Sequence, residues 1–303
     1  MKRPSWSALV ALTLLAIAAT LGAAVDPHPA PLTAQRAGYE VVEADLHVHT
    51  RFSDGFLSPF DVVWNARRQG LGALAITEHN VVFPALMARS YARMIDGPEV
   101  IVGEEITTRD AHLLAYGLSQ TVSARLPTLR AIAEVHAQGG VVVAAHPVQR
   151  YWPALEPVIQ QLDGVELVHP IAWRPRREGF DKDDIPTFWE RARADNPRLF
   201  ATGSSDYHAG PVLGLGTTLI FAATRNADDL VGALRAGRTV VIDREGRMHG
   251  DPALIEALER DPLPPFPPRD LAFQGQGPLD TASRLLALAG LLLLVTLRRT
   301  RDG

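Results

Sequence analysis

Apolar and polar positions along residues 39–260 follow two alternating patterns. Nearly continuous apolar runs, such as those ending in "ITEH" and "VAAHP", are typical of strands that are buried on both faces of a sheet. The segments between them show helical spacing. One such helix is predicted to start at Ser58, with Pro59 in its first turn, and to end before Gly70. Strands that alternate with helices predict an α/β domain with a parallel sheet, either as an open layer or as a closed barrel.

Both ends of the chain combine an apolar stretch with basic residues. Near the N-terminus, Lys2 and Arg3 precede the apolar stretch 8–25, which is the layout of a secretory signal or of a retained membrane anchor. Near the C-terminus, the uncharged stretch 285–297 lies between arginines, as in a short membrane anchor or a C-terminal sorting tail. These ends predict an exported protein that is tethered to a membrane through its terminal helices, with its catalytic domain in the periplasm or outside the cell. The predicted segments are a signal peptide or membrane anchor (1–25), a linker (26–38), one domain (39–260), a Pro-rich linker (261–280) and an apolar helix with an Arg-rich tail (281–303).

Composition narrows the chemistry of the domain. The 303-residue chain has no cysteine, which excludes disulfides and thiolate metal sites. Its net charge is −4, and no basic stripe or series of stacking aromatic residues crosses the domain, so nucleic acid is not favoured as a partner.

Polar residues interrupt the apolar pattern mainly where strands end. His47 and His49 take alternate positions of one strand, so both imidazoles point to the same face and can meet at one point. Each residue alone has a simpler interpretation: a His at a strand end is commonly hydrogen-bonded, and Asp54 in "SDG" is a common turn residue. Together they are better explained by metal ions, because buried imidazoles and carboxylates without partners are costly. The candidate metal ligands are His47, His49, Asp54, His79, Glu105, His112, His146, Asp206 and His208.

The motifs that carry these residues resemble a known family. The segments "DLHVHTRFSDG", "ITEHN", "GEEIT", "HLLAYG", "AHP" and "GSSDYH" together resemble the PHP (polymerase and histidinol phosphatase) domain across residues 43–240. The resemblance implies a distorted seven-stranded (β/α) barrel with a trinuclear metal centre at the carboxyl ends of its strands. The implied ligands are His47, His49, Glu105 and Asp206 for a first metal, Glu105 as a bridge together with His112 and His146 for a second, and Asp54, His79 and His208 for a third.

Three acidic residues involve a choice of register or a departure from this family pattern. Glu105 is preferred over the adjacent Glu104, because the pattern reads Gly-x-Glu and Gly103 sets the register. Glu78 stands where the family often has Asp, and its side chain is expected to face away from the metals. Asp54 replaces a ligand that is His in some members, which bears on occupancy of the third site.

The ligand set predicts a metal-dependent hydrolase. Imidazole and carboxylate ligands without thiolate suit Zn²⁺, Mn²⁺ or Fe²⁺, and two or three such ions are expected. Clustered divalent ions hold a hydroxide between them and neutralise charge on a phosphoryl group, so hydrolysis of a phosphate ester of a small phosphorylated substrate is the leading interpretation. The predicted catalytic residues are Asp206, His208 and Arg150.

Further residues and other functions fit the same sequence. Arg51 and Arg174 are additional candidates to meet an anionic substrate, and His169 is an auxiliary ligand or acid. A metal-dependent hydrolase of a carbamate, amide or non-phosphate ester would use the same ligands. The non-enzymatic alternative is a membrane-tethered metal-binding module, against which the complete ligand set argues.

Overall fold

The structure is a computed structural model, which describes residues 6–24, 30–170, 181–209, 213–266 and 278–299. It divides into two compact units, one over Pro29–Leu271 and the other formed by the two ends of the chain, Met1–His28 and Ala272–Gly303.

The larger unit is built on a single mixed sheet. Within the described residues its strands are β1 Ala34–Arg36, β2 Tyr39–Val48, β3 Ala73–Ile76, β4 Glu99–Thr107, β5 His112–Tyr116, β6 Val141–Ala144, β7 Gly164–Val168, β8 Phe200–Gly203, β9 Thr218–Ala222, β10 Thr239–Ile242 and β11 Met248–Gly250. The described helices of the whole chain are α1 Trp6–Ala24, α2 Pro59–Arg68, α3 Phe83–Met94, α4 Thr128–Ala137, α5 Trp152–Leu155, α6 Asp184–Asp195, α7 Ala227–Arg235, α8 Pro252–Arg260 and α9 Pro278–Arg299. Short 3₁₀ turns at Gln149–Tyr151 and Glu156–Gln161 flank α5.

The sheet curls into a nearly closed barrel. Its strand order is β11-β10-β9-β2-β3-β4-β5-β6-β7-β8, with β1 paired to β2. The far strand β8 comes back to β9 and β10, where the Thr218 hydroxyl donates to the Gly203 carbonyl at 3.0 Å and the Thr239 hydroxyl donates to the Ala201 carbonyl at 2.9 Å. The predicted (β/α) barrel is therefore confirmed, with eleven strands in the described residues instead of seven.

The alternation of strands and helices predicts a parallel sheet, but the observed sheet contains both parallel and antiparallel pairs. Strand β2 runs parallel to β3, β3 to β4, β6 to β7 and β7 to β8. By contrast, β5 is antiparallel to both β4 and β6, and β9 is antiparallel to β2 and β10. The reason lies in the connections: only four residues join β4 to β5, which is too short for the crossover helix that a parallel pair requires.

Buried side chains pack on both faces of the sheet. Ala73 and Ala75 of β3 belong to one core cluster, whereas Leu74 and Ile76 belong to the other. This alternation is what a strand covered on both faces requires. The predicted N-terminus of α2 is also confirmed, because the Ser58 hydroxyl accepts from the Asp61 amide at 3.1 Å and forms a capping box.

Parts of both predicted linkers belong to the barrel unit. Leu32 is buried, and β1 pairs with β2. The Arg36 guanidinium donates to the Asp261 carbonyl at 2.6 Å, so residues from the segments 26–38 and 261–280 meet at the edge of the sheet.

The smaller unit is a pair of helices, α1 and α9. A Cβ on Gly290 would lie 2.9 Å from Leu15 Cγ and 3.0 Å from the Ala11 carbonyl oxygen, so glycine allows the helices to approach closely here. The Ser283 hydroxyl donates to the Ala18 carbonyl at 2.8 Å. The sequence predicts a signal peptide or anchor at the N-terminus and a short anchor or sorting tail at the C-terminus. No helix in the described ranges is long and apolar enough to cross a membrane.

Candidate metal centre

The carboxyl edge of the sheet gathers all nine predicted ligands. β2 supplies His47, with His49 directly after it, and Glu105 lies near the end of β4. His112 opens β5, and because β5 is antiparallel to β4 its first residue pairs with Thr107 and lies at the same edge. The other predicted ligands sit in the loops that follow β2, β3, β6 and β8, namely Asp54, His79, His146, Asp206 and His208.

The first group of ligand atoms is compact and buried. His47 Nε2 lies 2.9 Å from His49 Nε2, 3.4 Å from Glu105 Oε2 and 3.2 Å from Asp206 Oδ1. His49 Nε2 lies 3.3 Å from both of these carboxylate oxygens. Nitrogen and oxygen ligands about 2.0–2.2 Å from a tetrahedral ion are separated from each other by about 3.3–3.6 Å, so these spacings suit one small divalent cation.

Glu105 joins this group to a second one. Its Oε1 atom lies 2.7 Å from His112 Nδ1 and 3.0 Å from His146 Nε2, while its Oε2 atom faces His47 and His49 and lies 2.9 Å from His79 Nδ1. A carboxylate that presents one oxygen to each of two imidazole groups is arranged to bridge two cations. The side chain is almost completely buried, which fixes this orientation.

The third group is more open. Asp54 Oδ2 lies 3.1 Å from His208 Nε2 and 3.4 Å from His79 Nε2. His49 also belongs to this group of potential ligands, since its Nδ1 lies 3.6 Å from Asp54 Oδ1. The side chain of Asp54 is 53% exposed and that of His208 is 34% exposed, whereas those of His47 and His49 are fully buried. The centre therefore grades from a buried first group to a solvent-facing third group.

The protonation pattern of these groups fits bound cations. His47 Nδ1 lies 3.0 Å from Glu166 Oε1, so in the neutral form that binds a cation Nδ1 carries the proton and the Nε2 lone pair faces His49 Nε2. Among the described residues the buried Asp206 Oδ1 atom has no hydrogen-bond partner, although it lies between these two nitrogens. The lone pairs of these two nitrogens and of the Asp206 oxygen repel one another unless a proton or a metal cation lies between them.

Electrostatics lead to the same requirement. Burial acts to raise the pKa of Glu105, but the positive charge at His47 holds it well below the usual value. Burial acts to lower the pKa of His49, but the neighbouring carboxylates of Asp206 and Glu105 raise it to about 9. Without metal, the site thus keeps Glu105 and Asp206 ionised and favours protonation of His47, His49 and His146. Divalent ions would replace those protons.

Glu166 is a site residue that the sequence analysis missed. It lies in β7, is completely buried, and contacts His47 Nδ1 through Oε1 and the His146 amide through Oε2, the latter at 2.7 Å. Ser204 donates to the same carboxylate. Such a carboxylate orients a ligating imidazole from behind. The available signal was a lone acid inside the apolar run "GVELV", which cannot be explained by a solvated surface position.

Glu78 organises the loop that carries Asp54. Its carboxylate accepts from the Thr50 amide at 2.9 Å and also from the hydroxyls of Thr50 and Ser53. A Cβ on Gly55 would lie 2.5 Å from the His49 carbonyl carbon and oxygen, so only glycine allows this loop to fold back against the strand end.

The backbone is strained at two of the predicted ligands. His146 has a φ of 26° and Asp206 has a φ of 45°, both in the left-handed region that side-chain-bearing residues rarely adopt. Strain of this kind persists only where the surrounding structure enforces it, and it is concentrated at functional sites.

The predicted auxiliary residues have different positions. His169 is buried, its Nε2 lies 3.2 Å from Asp206 Oδ2, and it forms a further group of potential ligands with His47, His146 and Glu166. Arg51 is exposed in the loop after β2, and Arg174 lies outside the described residues. Arg150 lies beside the second group, because its guanidinium donates to the Tyr151 hydroxyl at 2.6 Å and that hydroxyl lies 3.2 Å from His112 Nε2.

A cavity of about 750 Å³ opens next to Arg150. Its lining includes Arg109, Asp110, His112, Thr128, Arg150 and Tyr151. The lining thus includes one predicted metal ligand, His112, and two arginines. This combination suits an anionic ligand that reaches the metals.

Comparison with known proteins identifies the family. Residues 45–153 match the PHP domain and residues 190–239 match the PHP-associated region. These matches identify a PHP domain at 45–153 and a PHP-associated region at 190–239, and the His, Asp and Glu clusters of the chain fit divalent metal ions.

Individual relatives share parts of the chain. An uncharacterized protein of Methanocaldococcus jannaschii is 29% identical over 139 residues, which are 42% of this chain and 81% of that protein. A 5'-3' exoribonuclease of Haemophilus influenzae is 34% identical over 100 residues, which are 31% of this chain and 36% of that enzyme. A two-domain protein from Bacteroides vulgatus, containing a predicted PHP-like metal-dependent phosphoesterase, has a similar fold. The TM-score is 0.57 at 24% identity, over 72% of this chain and 69% of that one.

Proposed function

We propose that the protein is a metal-dependent phosphoesterase that hydrolyses a phosphate ester at a centre of two or three divalent ions. The observation that carries the proposal is Glu105, whose two carboxylate oxygens face two separate groups of imidazoles, two at Oε1 and three at Oε2. A bridging carboxylate between two cation positions is the arrangement that in-line displacement at phosphorus uses.

Different residues of the chain would serve different parts of this reaction. When bound, paired divalent ions supply a water of lowered pKa and neutralise the charge of the phosphoryl group. His47, His49 and Glu105 fix the buried side of the centre. Asp54 and His208 lie on its solvent-facing side, so substrate approaches from there and from the adjoining cavity.

The cavity favours a phosphate ester over the neutral amide, carbamate and carboxylic ester alternatives. Arg109 and Arg150 both line it, next to His112. Two guanidinium groups near the ions attract an anion and match the oxygens of a phosphoryl group. A neutral substrate would gain little from them.

The proposal is tested on the full chain, purified without chelator and loaded with Mn²⁺ or Zn²⁺. Elemental analysis counts the bound ions, and hydrolysis of p-nitrophenyl phosphate is compared with hydrolysis of p-nitrophenyl acetate. We expect two or three ions per chain and release of nitrophenol from the phosphate ester only when metal is present.

The control is the double variant His47→Ala, His49→Ala, which removes both imidazoles of the first group. It should lose metal and phosphatase activity together. Bound metal with hydrolysis of the acetate alone would replace the proposal with a carboxylic ester hydrolase. A chain that binds no divalent ion would refute the metal centre itself.

A further inference from the structure

Tyr151 lies between the predicted second metal group and the cavity. Its side chain is only 6% exposed, and its ring stacks on His112 with the ring centroids 5.0 Å apart. The hydroxyl lies 3.2 Å from His112 Nε2 and 2.6 Å from an Arg150 guanidinium nitrogen. The residue is therefore held in place on one side by a predicted ligand and on the other by a fixed cation.

The tautomer of His112 decides which way the Tyr151 proton points. His112 Nδ1 faces Glu105 Oε1 at 2.7 Å and, through it, His146, so a cation in the second group would bind to Nδ1. A neutral imidazole that ligates through Nδ1 carries its proton on Nε2. His112 Nε2 then donates to the Tyr151 oxygen.

The hydroxyl of Tyr151 then has both of its lone pairs occupied. A guanidinium can only donate, so Arg150 also donates to this oxygen. Since a phenol oxygen accepts through two lone pairs and donates one proton, the Tyr151 proton has to be directed to a third partner. The side of the hydroxyl that remains is the cavity, which Tyr151 lines together with Arg109 and Arg150.

We propose that Tyr151 is a substrate-binding residue, and that a metal at His112 turns its hydroxyl into a hydrogen-bond donor for an oxygen of the bound phosphoryl group. This inference rests on the proposed function and adds to it a residue and a coupling. Arg150 donates to the hydroxyl and adds positive charge, Arg109 in the same lining adds a second positive charge, and Asp110 there opposes anions. The ligand class is a tetrahedral oxyanion.

Removal of the metal reverses the direction of the hydrogen bond between His112 Nε2 and the Tyr151 hydroxyl. Without a cation at Nδ1, the His112 proton moves to Nδ1, where Glu105 Oε1 accepts it, and Nε2 becomes an acceptor. The Tyr151 proton then satisfies Nε2 and is no longer available to a ligand. Metal loading and the donor strength of the cavity are thereby coupled through one imidazole.

The test measures the affinity of the full-length, metal-loaded protein for inorganic phosphate by isothermal titration calorimetry. Tyr151→Phe is compared with the wild type and with Tyr91→Phe, which removes a hydroxyl from α3. Bound metal is counted by elemental analysis in every sample. A hydrogen bond to a charged group predicts that Tyr151→Phe binds phosphate about tenfold to a hundredfold more weakly than the wild type, with the same metal content. Tyr91→Phe should bind like the wild type, and any affinity left in the metal-free proteins should be equal for Tyr151→Phe and the wild type.

Each other outcome is decisive. Equal phosphate affinity of the loaded wild type and Tyr151→Phe would overturn the inference, and so would a loaded wild type that binds no phosphate. If Tyr151→Phe instead loses metal, the hydroxyl supports His112 and not the ligand, which also overturns it. Failure of the proposed function looks different: the loaded protein would bind phosphate in a Tyr151-dependent way yet hydrolyse no phosphate ester.

Discussion

Glu104 and Glu105 are neighbours in one strand, yet they have opposite surroundings. Glu105 reaches five imidazoles through its two oxygens. Glu104 points to the other face of β4, where Oε2 accepts from the Val122 amide at 2.9 Å. Burial raises the pKa of Glu104 to about 7, so this acid is partly neutral near neutral pH. The pair offers a matched comparison of a bridging carboxylate and a structural one.

We expect Glu105→Gln to lose metal from the first and second groups and to lower phosphatase activity by at least about a hundredfold, because an amide cannot bridge two cations. Glu104→Gln resembles the protonated acid already present and should keep both metal content and activity. Elemental analysis and the nitrophenyl phosphate assay give the two readouts. Loss of metal in Glu104→Gln with retention in Glu105→Gln would reverse the assignment of the ligand.

Glu166 acts on the metals through other residues. Because it holds His47 Nδ1 and the His146 amide, its removal frees two predicted ligands to rotate. We expect Glu166→Gln to weaken metal affinity about 10- to 100-fold, measured by competition with a chromophoric chelator. The exposed Glu190→Gln serves as control. An unchanged affinity in Glu166→Gln would show that the barrel alone orients His47.

At the scale of elements, an irregularity in β2 aims the ligands. Leu46 packs in one core cluster and Val48 in the other, although residues two apart in a regular strand share a face. The pairing of β2 with β3 shifts register between Asp45 and Val48, as a β-bulge does. The bulge lets His47 and His49 face the metal groups while Val48 packs in the core on the other face of the sheet.

The loop after β2 is expected to govern the third group separately from the first. In Gly55→Ala the new Cβ would collide with the His49 backbone, so the loop that carries Asp54 has to move. We expect this variant to bind one ion fewer than the wild type while keeping the buried ions, as judged by elemental analysis. Gly232→Ala in α7 is the control, because nothing lies within 4 Å of its new Cβ. Equal metal content in the two variants would contradict this role of the loop.

Some of these features could be predicted from the sequence, and others could not. His47, His79 and His146 could be placed at strand ends because apolar runs mark where buried strands stop. The bulge in β2 and the antiparallel β5 could not be predicted, since each depends on pairing between distant segments and not on local pattern. Glu166 escaped for a related reason, because its partner His47 lies 119 positions earlier in the chain.

For the whole molecule, the raised imidazole pKa values give the metal-free protein a distinct pH dependence. The folded-state pKa of His49 is about 9, above its unfolded value of about 6.5, so its contribution to stability is complete below pH 6.5 and is lost as the pH rises to about 9. We therefore expect the free energy of unfolding of the metal-free protein to fall by on the order of 3 kcal/mol over this range.

Urea unfolding at pH 6.5 and 9 measures this change in the presence of EDTA. The same protein with metal bound is the control, because cations there replace the protons and the loss should be absent. A metal-free protein whose stability rises with pH over this interval would show that His49 is neutral in the folded state.

The gradient of exposure across the three groups has a consequence for the protein in its surroundings. Ions held by buried His47 and Glu105 would exchange with solution slowly, whereas an ion at Asp54 and His208 would equilibrate quickly with the free metal outside. Occupancy of the outer position would then follow the local supply of metal while the inner pair stayed filled. The rate of the proposed hydrolysis would then depend on the concentration of free metal around the protein.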